Sequence, residues 1–162
     1  SFDVAGVSPG IWTLQVTGNF GTYVKSIRLG SRDVTAYDIP LDAATTAAPM
    51  QITLSRALST ITGIVQTADG TPTGSAVTLV RVPYEPGSMT MMTGAGSDGR
   101  FTTPGLPPGT YRVFAWEDLE TAQRYSEDDY ARYRDQSATV TVKENETARV
   151  TLHRIPASAP LR

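Results

Sequence analysis

The chain has 162 residues, 40% of them hydrophobic, and a formal net charge of −2, enough apolar content for a packed core and no basic surplus for gripping a phosphate backbone. It has no cysteine and a single histidine, His153, which excludes disulfides, thiolate metal centres, thiol nucleophiles and any multi-histidine metal site. No apolar run reaches the ~18 residues of a membrane-spanning helix.

The first residues, Ser1-Phe2-Asp3, lack an initiator methionine and a signal-peptide pattern, so residue 1 is expected to be a cut end inside a strand. Further along, helical periodicity is scarce and alternation with period two is common. Ile61, Gly63, Val65 and Thr67 alternate with Thr62, Ile64 and Gln66, and Asp69-Gly70 follows as a hairpin turn. Residues Ala76 to Val82 read as the next strand, stopped by Pro83. A loop with Pro86 and Gly87 leads to a short strand expected over Met89–Thr93. Asp98-Gly99 is a second hairpin turn before Arg100-Phe101-Thr102, and Pro107-Pro108-Gly109 is a third turn. Tyr111 to Trp116 alternates again, and Val140, Val142, Val150 and Leu152 mark two closing strands around Lys143-Glu144-Asn145-Glu146. About seven strands with turns at roughly 8–12-residue spacing predict a β-sandwich.

One segment departs from this pattern. Residues 117–135 carry seven acids and three arginines, −4 locally against about +2 for the remainder. Ser126 with Asp129 three residues on matches a helix cap. Glu127, Asp128 and Asp129 ahead of Arg132 and Arg134 match the helix dipole. A short surface helix is expected over 127–134, inserted between strands, with Tyr130 and Tyr133 on one face. The acids Asp118, Glu120, Glu127, Asp128 and Asp129 follow no calcium-loop spacing, so a solvated acidic face is expected, with no metal or other cofactor.

The chain also repeats itself. Phe2, Gly6, Val7, Pro9, Gly10 and Trp12 match Phe101, Gly105, Leu106, Pro108, Gly109 and Tyr111 at a constant offset of 99. Ile52-Thr53-Leu54 matches Val150-Thr151-Leu152 at an offset of 98. A period of that length suits one small sandwich per copy.

The run Ser97-Asp98-Gly99-Arg100-Phe101, then Gly105-Leu106-Pro107-Pro108-Gly109-Thr110-Tyr111-Arg112-Val113, resembles the carboxypeptidase regulatory-like domain family. The opening Ile61-Thr62-Gly63-Ile64-Val65, Asp69-Gly70-Thr71-Pro72 and Ala76-Val77-Thr78-Leu79 is similar to that family's first hairpin. The resemblance implies an all-β, seven-stranded, Ig-like or transthyretin-like sandwich over residues 57–156. It implies the C-terminal half of a first copy over residues 1–56, leaving 157–162 as a tail. It further implies a non-catalytic accessory module of an exported or surface-attached bacterial protein, whose partners are neighbouring domains of the same polypeptide. The carboxypeptidase reaction does not carry over, because His153 alone cannot build a zinc site.

The aromatic residues Tyr84, Trp116, Tyr125, Tyr130 and Tyr133 are the candidate site. Aromatics in loops can stack on sugars or anchor a protein partner, which makes a carbohydrate- or protein-binding module built on the insertion 116–135 the alternative function. Against it stands a packing reading, in which Tyr130 and Tyr133 dock the helix on the sandwich over Trp116. His153 is expected to be a structural or surface residue, and no enzyme activity is expected. Nucleic acid and membrane are not expected as partners.

Overall fold

Short alternating segments separated by glycine, proline and Asx turns have one economical outcome, a stack of antiparallel strands with one face of each turned inward. The computed structural model describes residues 6–14, 21–35, 38–42, 48–83, 90–118 and 127–157. It divides into two compact units, Ser1–Arg56 and Ala57–Arg162.

The first unit contains β1 (Gly10–Thr13), β2 (Tyr23–Leu29), β3 (Arg32–Asp33), β4 (Asp38–Leu41) and β5 (Met50–Ser55). β2 lies between β3 and β5, antiparallel to both, and β1 pairs antiparallel with β4. Ile27, Leu29, Val34 and Ile39 form its buried core. The turn after β3 is held by Asp33, whose Oδ1 accepts the Thr35 N–H at 2.9 Å.

The second unit contains β6 (Thr60–Gln66), β7 (Ser75–Val82), β8 (Met91–Ala95), β9 (Arg100–Thr102), β10 (Gly109–Trp116), α1 (Glu127–Arg132), β11 (Ala138–Val142) and β12 (Thr147–Ile155). A front sheet runs β8-β7-β10-β11 and a back sheet runs β9-β6-β12. They meet at one corner, where Ala115 and Trp116 pair in parallel with Arg154 and Ile155. Between the sheets lies a core of Ile61, Val65, Val77, Leu79, Phe101, Leu106, Tyr111, Val113, Val142 and Leu152. Among its described residues the second unit is therefore all-β with one short inserted α-helix, an Ig-like, transthyretin-like sandwich.

The turn residues do what their chemistry dictates. Gly99 has φ +74°, and a Cβ there would sit 2.4 Å from the Val65 carbonyl oxygen, which crosses directly beneath it. Asn145 takes φ 60° in the turn between β11 and β12, a conformation its short polar side chain tolerates. The Lys143 N–H donates to the Glu146 carboxylate at 2.6 Å and closes that turn.

The repeat read from the sequence has a counterpart in the pairing. Trp12 faces Ile39 as Tyr111 faces Val140, and Gly10 faces Leu41 as Gly109 faces Val142. The indole N–H of Trp12 donates to the Ser8 carbonyl at 3.0 Å, and the hydroxyl of Tyr111 donates to the Pro107 carbonyl at 2.6 Å. Both bonds reach back four residues across the same Pro-Gly turn.

Two expected boundaries moved. The strand placed over Met89–Thr93 runs Met91–Ala95, because Gly94 and Ala95 continue the ladder opposite Ala76 and Ser75; Met89 lies outside the described residues. The helix placed over 127–134 stops at Arg132 and tightens into a 3-10 turn over Arg134–Gln136. Ser137 sets that end, its Oγ donating to the Arg134 carbonyl at 2.6 Å. Ser126, the expected cap, lies outside the described residues.

Candidate functional site

The described end of the insertion, α1 and Tyr133 after it, packs on the outer face of the front sheet. On β10, Val113 and Ala115 point into the core, so alternation sends Phe114 and Trp116 outward. Outward is not exposed here: both are 0% exposed. α1 and the residue after it cover them with Tyr130 and Tyr133, which a spacing of three places on one helix face. Phe114 and Trp116 stack with centroids 5.5 Å apart. Tyr130 leans on Phe114 at 5.2 Å, and Tyr133 meets Trp116 edge to face at 5.2 Å and 86°.

The polar ends of this cluster are satisfied. The indole N–H of Trp116 donates to the Thr78 hydroxyl at 3.1 Å, with Thr78 itself buried on β7. Arg112 Nη1 donates to the Arg134 carbonyl and to the Ser137 hydroxyl, each at 3.2 Å, and so holds the end of the insertion to β10. Glu117 ties the other end. Its backbone N–H donates to the Ile155 carbonyl at 3.0 Å, and its carboxylate pairs with Arg154 at 3.1 Å and accepts the Ala157 N–H at 2.9 Å.

Trp116, Tyr130 and Tyr133 thus belong to one buried cluster, together with Val80 and Ile155. Tyr84 and Tyr125 lie outside the described residues. His153 projects from β12 into solvent. Among the described residues no three His, Asp or Glu side chains gather as a metal site would require. Asp69 and Asp33 titrate below the ordinary carboxylate range. For each the largest cause is a side-chain hydroxyl donating to the carboxylate, from Thr67 and Thr35 respectively, followed by the backbone N–H of Thr71 or Thr35. Both carboxylates are exposed turn residues, far from any aromatic cluster in sequence.

Two concavities accompany this arrangement. The first is a cavity of about 190 Å³ beside α1, lined by Val80, Val82, Tyr130, Ala131, Arg112 and Arg134, with Arg81 completing the wall. The second is a hollow of about 550 Å³ on the outer face of the back sheet, where Thr62, Ile64, Arg100, Thr102, Arg149 and Thr151 come together. Sequence reasoning found neither. The available signal was Val80 and Val82, two apolar residues on the outward register of β7, of which Val80 also joins the aromatic cluster.

No family model matches the chain, and no curated protein matches it. Among solved structures, the chain is similar to the major pilin subunit of Bacillus cereus, with 13% identity and a TM-score of 0.40 over 67% of this chain and 35% of that one. It is similar to the 5-hydroxyisourate hydrolase of Klebsiella pneumoniae, with 21% identity and a TM-score of 0.35 over 63% of this chain and 93% of that one. A third likeness is to the pilus 2b backbone protein of group B streptococcus, with 15% identity and a TM-score of 0.38 over 74% of this chain and 48% of that one. The chain therefore spans about a third to a half of the two pilus proteins' lengths, and at these scores none of the likenesses carries a functional argument.

Proposed function

We propose that this chain is a non-catalytic structural module of an exported or surface-attached bacterial protein, with the neighbouring domains of the same polypeptide as its partners. The observation that carries the reading is the fate of the insertion. The segment that breaks the strand pattern spends Tyr130 and Tyr133 on the sandwich, and both of its ends are tied to strands by Arg112 and Glu117. A brace of this kind makes the outer face of a sheet into a second small core and raises the cost of peeling that sheet apart. The resemblance of residues 57–156 to a family of accessory sandwiches points the same way.

The reading is tested on the purified chain in two assays. Neutral and uronic polysaccharides are titrated by calorimetry, and panels of ester, glycoside and phosphate substrates are followed for turnover. A folded chain that binds no polysaccharide and turns over no substrate is the expected result. Saturable polysaccharide binding would replace the reading with that of a binding module, and turnover that co-purifies with the chain would replace it with that of an enzyme.

A further inference from the structure

The geometry points to a small-molecule site in the cavity beside α1, one that takes a carboxylate with an apolar body about the size of benzoate. Part of its lining is apolar and buried: Val80 is 6% exposed and Tyr130 8%, with the more exposed Val82 and Ala131 beside them. A volume of about 190 Å³ is smaller than the ~300–1,000 Å³ pockets that hold drug-sized ligands. It suits one ring or one branched chain.

The rest of the lining carries the opposite chemistry. Arg112 and Arg134 both line the cavity, and neither pairs with a carboxylate among the described residues. Arg112 is preorganised, because its Nη1 is committed to the Arg134 carbonyl and the Ser137 hydroxyl. The rest of its planar fork of five donors is left for another acceptor. Arg81, Arg112 and Arg134 place three guanidiniums around the cavity, and no carboxylate stands among its lining residues. A carboxylate satisfies them through charge-assisted, bidentate hydrogen bonds, while the apolar body displaces water from Val80, Val82 and Tyr130. An inorganic anion would meet only the first demand and a neutral aromatic only the second. The inference is independent of the structural role proposed above, since a module can brace an assembly and still hold a small ligand.

The test uses the full chain labelled with nitrogen-15 and titrated with benzoate. Saturable shifts at the amides of Val80, Val82 and Ala131 are expected. Arg134→Gln, a change at an exposed side chain, is expected to weaken binding at least fivefold. Ala131→Phe, also exposed, fills the cavity and is expected to remove binding, the unperturbed remainder of each spectrum showing that the fold is intact. Benzyl alcohol and inorganic phosphate are each expected to bind at least fivefold more weakly than benzoate. The proposal is overturned if benzoate leaves those amides unmoved, if Arg134→Gln binds as tightly as the parent, or if phosphate matches benzoate.

Discussion

At the scale of single residues, two side chains show how local chemistry sets energetics. Thr78 is a buried polar residue whose hydroxyl accepts the Trp116 indole N–H inside an otherwise apolar cluster. Thr78→Val keeps the shape and removes the acceptor, and it is expected to cost about 1–3 kcal/mol in denaturant unfolding. Asp69 illustrates the opposite setting, an exposed turn. Its carboxylate accepts from the Thr67 hydroxyl first and the Thr71 backbone second, and both hold its pKa below the ordinary value. Because the folded-state pKa lies below the unfolded one, the stabilisation is present above the unfolded pKa. It is lost as pH falls through the folded pKa. A carbon-detected NMR titration is expected to place the Asp69 midpoint below that of an unstructured aspartate, and Thr67→Val is expected to raise it. An unchanged midpoint in the variant would reassign the shift to the backbone.

At the scale of elements, the strands were legible, and so was the docking of the helix through Tyr130 and Tyr133 over Trp116, which the structure shows as one buried cluster. Asp98-Gly99, Pro107-Pro108-Gly109 and Lys143 to Glu146 announce their turns because glycine, proline and Asx residues act through their own backbone preferences. Tyr111 closes its own corner locally, its hydroxyl donating to the Pro107 carbonyl four residues back. Trp116 is different. Alternation assigns it to the outward face, and outward ordinarily means solvent, but nothing within β10 says that a helix from a later segment lies on that face. Its burial is a fact about α1 as much as about β10. Tyr133→Ala removes the edge-to-face partner of Trp116. It is expected to cost about 3 kcal/mol and to speed amide exchange across α1 while β10 stays protected. Equal loss of protection in both would mean that the insertion and the sheet unfold as one unit. Gly63 tests the facing layer. A Cβ there would lie 2.3 Å from the Val150 carbonyl oxygen and 2.6 Å from the Phe101 ring. Gly63→Ala therefore pushes on a backbone ladder that cannot yield without losing β6–β12 bonds. A destabilisation of about 3 kcal/mol, at the upper end of ordinary overpacking, is expected in thermal unfolding.

At the scale of the whole molecule, the boundary between Arg56 and Ala57 separates two units with separate cores. A polypeptide of residues 57–162 is expected to unfold in a single cooperative calorimetric transition, whereas broad, non-cooperative melting would show that its core needs the first unit. The sequence repeat marks the Pro-Gly turn and the aromatic residue after it in both units, where β1 pairs with β4 and β10 with β11 at equivalent positions. It did not reveal the parallel pairing of β6 with β12 or the corner joining the sheets, since periodicity along a strand carries no information about which strand will lie beside it.

That parallel pairing also determines when the second unit can exist during its own synthesis. β6 opens the unit and β12 nearly closes it, and the two lie side by side from Thr60–Thr147 to Gln66–His153. Until Val150 and Leu152 have been translated, β6 has only the short β9 beside it and the core between the sheets lacks Leu152. Ribosomes adding about 5–20 residues per second therefore expose those strands for several seconds before the core can form. The strands that give the finished sandwich its stability are, for that interval, the segments most in need of a chaperone or of keeping clear of a neighbouring nascent chain.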